Sequence, residues 1–409
     1  MSEKEANQAA SDAADRRRDY VPLNGIQGEI VSEAEIGADI LEEQAKGSIK
    51  LFSHQQLVLL RFRKNRLAVI GLVVLVIIYA MAILCEFVSP YDPDHRFQGF
   101  VYTPPIRLRL RDTEGNWHTP FVYGLTRKTD PQTFERKYVE DTSVRYPVKL
   151  LVHGDEYKMW GLLKADLHLF GIEEAAGPLA IMGVDAMGRD LFSRVIYGSR
   201  ISLSIGLMGV FFSLVIGLVL GGISGLYGGT VDNIVQRVIE FIRSIPTIPL
   251  WMGLAAALPP DWPQLRIYFA ITIILSFVGW TTLARVIRGK FLSLREEDYV
   301  LAATQAGASQ WHIIWEHLVP SFISYILVHL TLSIPGMILG ETGLSFLGLG
   351  LTPPAISWGV LLKDAQKIQE VAIHPWILWP AIFVLFTVLS FNFFGDGLRD
   401  AADPYSQRV

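Results

Sequence analysis

The chain has 409 residues, of which 51% are hydrophobic and 19% are charged, and its formal net charge is −4. The single cysteine, Cys85, excludes an intrachain disulfide framework, and the net charge by itself neither favours nor excludes nucleic acid. Because a soluble protein could share this composition, the distribution of charges along the chain has to decide the class of protein.

The N-terminal segment, residues 1–52, is polar and acidic, with 11 acidic and 6 basic residues up to position 50. Such a segment cannot bury enough apolar surface to fold, so we predict a largely disordered cytoplasmic extension. Residues 53–66 then combine apolar side chains with Arg61, Arg63 and Arg66. This pattern is typical of an amphipathic helix that lies on a membrane surface.

Six stretches contain uncharged runs of 17 to 31 residues, close to or above the ~20 residues that cross a bilayer as a helix. Core helices of soluble proteins rarely stay uncharged over such lengths, so the sequence predicts an all-α integral membrane protein with six transmembrane helices. The predicted spans are 67–85, 201–226, 241–258, 267–285, 319–340 and 375–395. The uncharged run from which the third span is predicted, 244–260, contains four prolines.

Basic residues predict the orientation, because short cytoplasmic loops are rich in Lys and Arg. Basic clusters precede the first span, lie between the second and third, and follow the fourth, and Arg399 and Arg408 follow the sixth. With six spans, all these groups fall on one side. Both termini are therefore expected in the cytoplasm.

The polar segment between the first two spans must lie on the outer side. Within it, residues 106–111 alternate apolar and basic side chains with the period of a strand. We predict a small β-rich extracytoplasmic cap over residues 97–177.

The loop 296–319, between the fourth and fifth spans, has the pattern of a helix, a break and a second helix. Gly307 is suited to a left-handed C-terminal turn, Ser309 can cap the next helix, and Pro320 fits the first turn of span five. Ala302 and Ala303 would leave one helix face narrow enough for another protein to approach closely. An ordinary surface helical hairpin would show the same features.

The same loop resembles the cytoplasmic coupling motif of ATP-binding-cassette (ABC) importer permeases, A-A-x-x-x-G-A-S followed by H-x-x-P. In that family the short helix docks into a groove of the ATPase subunit. The matching residues are Ala302, Ala303, Gly307, Ala308, Ser309, His317 and Pro320. The chain departs from the motif at Thr304 and Glu316, where arginine is common.

Three further stretches, 185–203, 341–359 and 392–404, resemble the C-type permease of the dipeptide/oligopeptide/nickel branch of that family. The resemblance implies a permease core over 180–405, in a bacterial inner membrane, that is not itself an enzyme. It implies a second homologous permease, two ATPase subunits and an extracytoplasmic solute-binding protein as partners, with no nucleic acid. The expected substrates are peptides or similar solutes; the alternative is the same machinery importing oligosaccharides or another non-peptide solute.

No G-x-x-x-x-G-K-[ST] phosphate loop occurs in the sequence, so we expect no cofactor on this chain and ATP use by the partner subunits. The Gly-rich run 221–229 predicts close helix packing and a turn. A self-sufficient secondary transporter is the less favoured alternative, since it would need an inverted repeat or carboxylates inside the uncharged runs, and neither is evident.

Two sets of residues outside the coupling loop are candidates for function. Asp185, Arg189, Asp190 and Arg194 have spacings that would let them pair along one face of an outer-surface helix, either to receive a binding protein or only to hold the structure. His329 lies in the middle of span five, and Glu341 closes that span at its outer end. An ionisable residue at such depth is a candidate for the translocation path, although a neutral histidine bonded across helices is common.

Overall fold

The computed structural model describes residues 54–129, 136–172, 177–259, 261–309 and 312–402. The predicted extension 1–52 lies outside this range. In chain order the helices and strands are α1 (His54–Lys64), α2 (Arg66–Ile83), α3 (Cys85–Val88), β1 (Arg109–Arg111), β2 (Trp117–Thr129), β3 (Arg136–Pro147), β4 (Lys149–Met159), β5 (Leu163–Gly171), α4 (Leu191–Tyr227), α5 (Gly229–Ser244), α6 (Thr247–Ala256), α7 (Gln264–Leu294), α8 (Asp298–Gln305), a π-helical turn (Ile313–Leu318), α9 (Val319–Phe346), α10 (Trp358–Leu362), α11 (Ile368–Ile373) and α12 (Trp379–Ala402).

Five helical segments in the described part of the chain are long and apolar enough to cross a membrane. They are α2, α4, α7, the Phe322–Phe346 part of α9, and Pro375–Ala402, which includes α12. Helices α5 and α6 pass the same test together but meet at an angle of 84°. The chain is extended at Ile245, just before Pro246, because a proline disfavours helical geometry in the preceding residue. The predicted third span, 241–258, falls across this bend.

Helices α4 and α9 illustrate that membrane helices extend beyond the uncharged runs that predicted them. Helix α4 begins at Leu191, and therefore contains Arg194 and Arg200, while α9 continues through Glu341 to Phe346. All three charged side chains have polar partners in the folded chain. A helix can therefore continue past the residue at which an uncharged run stops.

Glycines bring α4 and α7 into backbone contact. A Cβ added at Gly221 would lie 2.6 Å from the carbonyl oxygen of Ala284, and one at Gly217 would lie 3.1 Å from the Leu283 side chain. Small residues four apart allow membrane helices to pack this closely. Gly228, with φ of +61°, then ends α4. The prediction of close packing followed by a turn over 221–229 is confirmed.

The first and last membrane helices also pack directly on each other. A Cβ at Gly71 of α2 would lie 2.7 Å from the carbonyl oxygen of Ser390 in α12, and the Tyr79 ring contacts the edge of Phe391. Several apolar side chains on α2 remain exposed in the isolated chain, including Ile70, Val76 and Ile83. Helix α2 thus presents an apolar surface suited to lipid.

The segment between α2 and α4 folds into two small antiparallel sheets. Strands β1, β2 and β3 form one sheet in that order, and β4 and β5 form a separate hairpin. The predicted β-rich insertion between the first two membrane helices is therefore present.

Candidate functional site

The coupling candidate is built on a short helix with a well-defined end. Helix α8 ends at a C-cap residue, Ala306, and Gly307 follows with φ of +84°. The N–H of Gly307 donates to the carbonyl of Thr304, and the N–H of Ala308 donates to that of Ala303, both at 3.0 Å. These paired bonds form a Schellman motif, which favours glycine at the left-handed position. The sequence pattern predicted this conformation of Gly307.

The chain then turns into the fifth long helix through a second local cap. The Ser309 hydroxyl accepts a hydrogen bond from the N–H of His312 at 3.3 Å. The π-helical turn Ile313–Leu318, which contains His317, leads directly into α9, with Pro320 in its first turn. The predicted helix, break and helix are thus present around the described residues of the loop.

One face of α8 is attached to the protein and the other is exposed. Val300 is buried in a cluster with Phe291 of α7 and Ile313 of the π-helical turn. Ala303 and Ala308 pack against the same cluster and are half-buried. The outward surface carries Ala302, Gly307 and Ser309, all exposed. Leu301 and Gln305 of the same helix are exposed as well. We call the patch formed by Ala302, Gly307 and Ser309 the small-residue face.

An ion pair joins three helices near this loop. Arg288 of α7 donates two hydrogen bonds to the two carboxylate oxygens of Asp232 in α5. The Ser224 hydroxyl of α4 donates to the same carboxylate at 2.5 Å. Sequence reasoning used Arg288 only as an orientation signal and did not identify Asp232, because the partners lie 56 residues apart and no local pattern connects them.

Asp185 and Arg189 lie in a turn that precedes α4. The N–H groups of Met187 and Arg189 donate to one oxygen of Asp185 at 2.8 and 3.0 Å. The Arg189 Nε donates to the other oxygen at 2.8 Å. The predicted pairing is present, since Arg189 and Arg194 lie 2.8 and 3.5 Å from the Asp185 carboxylate. Its predicted position along one helix face is wrong, because the helix begins only at Leu191.

Asp190 and Arg194 complete this group and are both buried. Asp190 caps α4 by accepting hydrogen bonds from the N–H and the hydroxyl of Ser193 at 2.8 and 2.7 Å. Burial raises the pKa of Asp190 to about 7. Arg194 donates to the carbonyl of Pro93 at 2.9 Å. Arg194 thus holds the loop after α3 against the start of α4, and a role for this group of residues in receiving a binding protein stays a prediction.

Glu341 is the centre of a buried hydroxyl network. One carboxylate oxygen accepts hydrogen bonds from Ser345 at 2.8 Å and Ser357 at 2.7 Å. The other accepts from Ser202 of α4 at 3.1 Å, and Ser202 in turn accepts from the N–H of Trp358 at 3.1 Å. The side chain is fully buried inside α9. The expectation that Glu341 marks the end of its helix is wrong, and in this structure it joins α4, α9 and α10.

His329 lies within α9, twelve positions before Glu341 along the chain, and is half-buried. Its carbonyl accepts a hydrogen bond from Ser333 at 2.7 Å. A role for its side chain in the translocation path stays a prediction. Within the described ranges, no group of three or more His, Cys, Asp or Glu side chains could hold a metal ion.

Comparison with protein families gives two matches, one at the first membrane helix and one from within α4 to the last membrane helix. Residues 213–406 match the family described as the binding-protein-dependent transport system inner membrane component. Residues 53–105 match the N-terminal transmembrane domain of oligopeptide transport permease C.

Individual relatives extend the similarity over nearly the whole chain. The oligopeptide transport system permease protein OppC of Bacillus subtilis is 30% identical over 388 residues, which cover 93% of this chain and 99% of that protein. The dipeptide transport system permease protein DppC of Lactococcus lactis is 33% identical, covering 90% of this chain and 94% of that protein. OppC of Haemophilus influenzae is 42% identical over 223 residues, covering 54% of this chain and 69% of that protein.

Among solved structures, an inward-facing form of the MetNI methionine ABC transporter matches 52% of this chain and 97% of its own chain. The sequence identity is 18% and the TM-score is 0.40.

Proposed function

The chain belongs to the family of binding-protein-dependent transport permeases, in its oligopeptide and dipeptide branch, and from this premise we propose that it is the membrane subunit of an ABC importer for peptides. As a transport permease it is a multi-pass membrane protein and not an enzyme. The relatives named above belong to oligopeptide and dipeptide transport systems, which supports peptides as the substrate.

The observation that carries the proposal is the small-residue face of the loop after α7. The Schellman motif fixes the end of α8, and Ala302, Gly307 and Ser309 are exposed beside it. Backbone approach at exposed small residues suits a groove on another subunit. We propose that an ATPase subunit binds this face, and that His317 and Pro320 help to form the turn that presents it.

The full importer would contain this chain, a second homologous permease, two ATPase subunits and an extracytoplasmic solute-binding protein. ATP would be bound and hydrolysed by the ATPase subunits, with no cofactor on this chain. Closure of the ATPases would move α8, and Val300 would pass that movement through Phe291 to α7 and through Ile313 to α9. Such rocking of helices around a central cavity is a general route to alternating access.

The topology proposed with this function has six spans, with the bent α5–α6 pair as the third and both termini in the cytoplasm. A reporter enzyme that is active only outside the cytoplasm should work when fused after Gly154 and fail when fused after Arg295. The same fusions to a reporter active only inside the cytoplasm should give the reverse result. Activity of the first reporter at Arg295 would contradict the orientation.

Transport itself is tested by reconstituting the complete complex in liposomes with ATP enclosed on the ATPase side. We expect uptake of labelled di- to pentapeptides only when ATP and the binding protein are both present. Uptake that persists without the ATPases would point to a secondary transporter instead. Uptake of labelled oligosaccharides, with no competition by peptides, would keep the importer mechanism but overturn the peptide assignment.

A further inference from the structure

The β4–β5 hairpin lies alongside the chain that leaves the first membrane helix, in a defined direction. At the hairpin tip, the indole N–H of Trp160 donates to the carbonyl of Ile83 at 3.1 Å. Further from the tip, His168 contacts the carbonyl of Ser89 at 2.5 Å, and the Asp155 carboxylate accepts from the N–H of Asp92 at 3.1 Å. Of these contacts, the one made by the tip reaches the end of α2, and the two made nearer the base reach residues that follow α3. The tip is the part closest to the end of α2.

An ion pair between Arg200 and Glu86, together with a cation–π contact to Trp160, holds the tip in that position. Arg200 of α4 donates to both carboxylate oxygens of Glu86, at 2.7 and 2.5 Å, and its guanidinium lies 5.0 Å from the centre of the Trp160 ring. The backbone N–H of Trp160 also donates to Glu86 at 3.3 Å. Burial raises the pKa of Glu86, but the hydrogen bonds from Arg200 and from backbone N–H groups, together with the charge of Arg200, outweigh burial and leave that pKa below its usual value. The hairpin is therefore held by both of the first two membrane helices.

The tip itself is strongly apolar and exposed. Leu162 is 85% exposed and Leu163 is 69% exposed, directly after Trp160. Two lysines, Lys158 and Lys164, pair across the hairpin immediately above these residues. Apolar side chains next to a pair of lysines, with a tryptophan at the boundary, are typical of a segment at a membrane interface.

The apolar tip continues a surface that is already suited to lipid. Ile83 and Leu84, at the end of α2, are exposed large apolar residues like those along the outer side of that helix. Because Trp160 contacts the backbone of Ile83, the last residue of α2, the side chains of the tip lie at the same height as the end of that helix. No other exposed apolar part of the hairpin has this position; Leu150, for example, lies at its opposite end.

We propose that the tip of the β4–β5 hairpin, residues 159–163, is a membrane anchor whose apolar side chains insert among the lipids of the leaflet in which the first span ends. This function goes beyond transport: the anchor sets the height and orientation of the insertion relative to the bilayer. Its lipid contacts are made by Leu162 and Leu163, while Trp160 and the Glu86–Arg200 pair carry the connection to α2 and α4.

The proposal is tested with an environment-sensitive fluorophore on cysteine variants of the full chain in liposomes. Leu162→Cys reports on the tip, and Leu150→Cys is a matched control, since Leu150 is also a leucine, is 76% exposed, and lies at the other end of the same strand pair. Cys85 is fully buried, and the unsubstituted chain measures any labelling there. Leu163→Cys is a second tip variant in case the first does not fold.

We expect lipids that carry a nitroxide near the headgroup to quench the label at the tip at least five-fold more strongly than the label at position 150. Aqueous iodide should show the opposite preference. Equal quenching by iodide at both positions would overturn the proposal, because it would place the tip in water. Protection of the tip from both quenchers would also overturn it, by indicating that another protein surface covers the tip.

Discussion

Gly307→Arg is expected to reduce ATP-driven uptake at least ten-fold and to weaken co-purification of the ATPase subunits, while the chain still inserts in the membrane. The left-handed φ of +84° at this position makes any side chain strained by about 1 kcal/mol. Apart from its two chain neighbours, a Cβ there would meet no atom of the described residues within 4 Å. The substitution should therefore leave the fold intact, and a large functional loss would arise where a partner approaches the small-residue face.

The matched control is Gly99→Arg in the segment between α3 and β1. Gly99 has φ of +87°, and a Cβ there would lie 3.7 Å from the end of the flexible Arg127 side chain. It carries the same backbone strain far along the chain from the loop, so uptake and ATPase association should stay near normal. Full uptake together with normal ATPase association in Gly307→Arg would remove the loop from the mechanism of coupling.

Glu341→Ala should give the largest loss of stability among single substitutions of the polar residues considered above. It removes the acceptor for the hydroxyls of Ser202, Ser345 and Ser357 and leaves space in a fully buried site. Lost buried hydrogen bonds and an unfilled cavity together should lower the free energy of unfolding by about 3 kcal/mol or more. Thermal unfolding of the purified protein in detergent should show a correspondingly lower Tm.

Two variants show whether the network is responsible for that loss. Glu341→Gln keeps the shape and one acceptor oxygen, and the hydroxyls can accept from its amide, so its Tm should lie between those of the alanine variant and the native chain. Glu240→Ala removes an exposed carboxylate paired with Arg237, a kind of ion pair that contributes about 0–1 kcal/mol. A native Tm for Glu341→Ala would show that the serines find other partners.

The parts of the molecule that sequence predicted well are those whose structure is set by neighbours along the chain. Gly307 and Ser309 adopt their predicted roles because the bonds that define them reach no more than five residues away. The glycines of α4 were recognisable for the same reason, since their spacing is a local property. The prolines after position 244 were evident in the sequence, but a single span was predicted over 241–258, and the 84° bend there was not predicted.

Charged residues inside the membrane helices were misjudged because their partners are distant in sequence. Arg200 was placed outside a span, yet it lies within α4 and pairs with Glu86, 114 residues earlier. Glu341 bonds to Ser345 in its own helix, but also to Ser202, 139 residues away. A local hydropathy reading treats each charge as unpaired and ends the span there. Only the folded chain shows which charges are neutralised.

The close approach of α4 and α7 also determines how stiffness is distributed in the molecule. At Gly221 no side chain separates α4 from the backbone of Ala284 in α7, which hinders sliding of one helix along the other, so we expect the two helices to move as one rigid unit. We expect bending instead at the two places where regular α-helical hydrogen bonding is interrupted. These are the break at Pro246 and the π-helical turn before α9. A force applied to α8 would therefore tilt α4 and α7 together, and the chain would bend at Pro246 and at the π-helical turn.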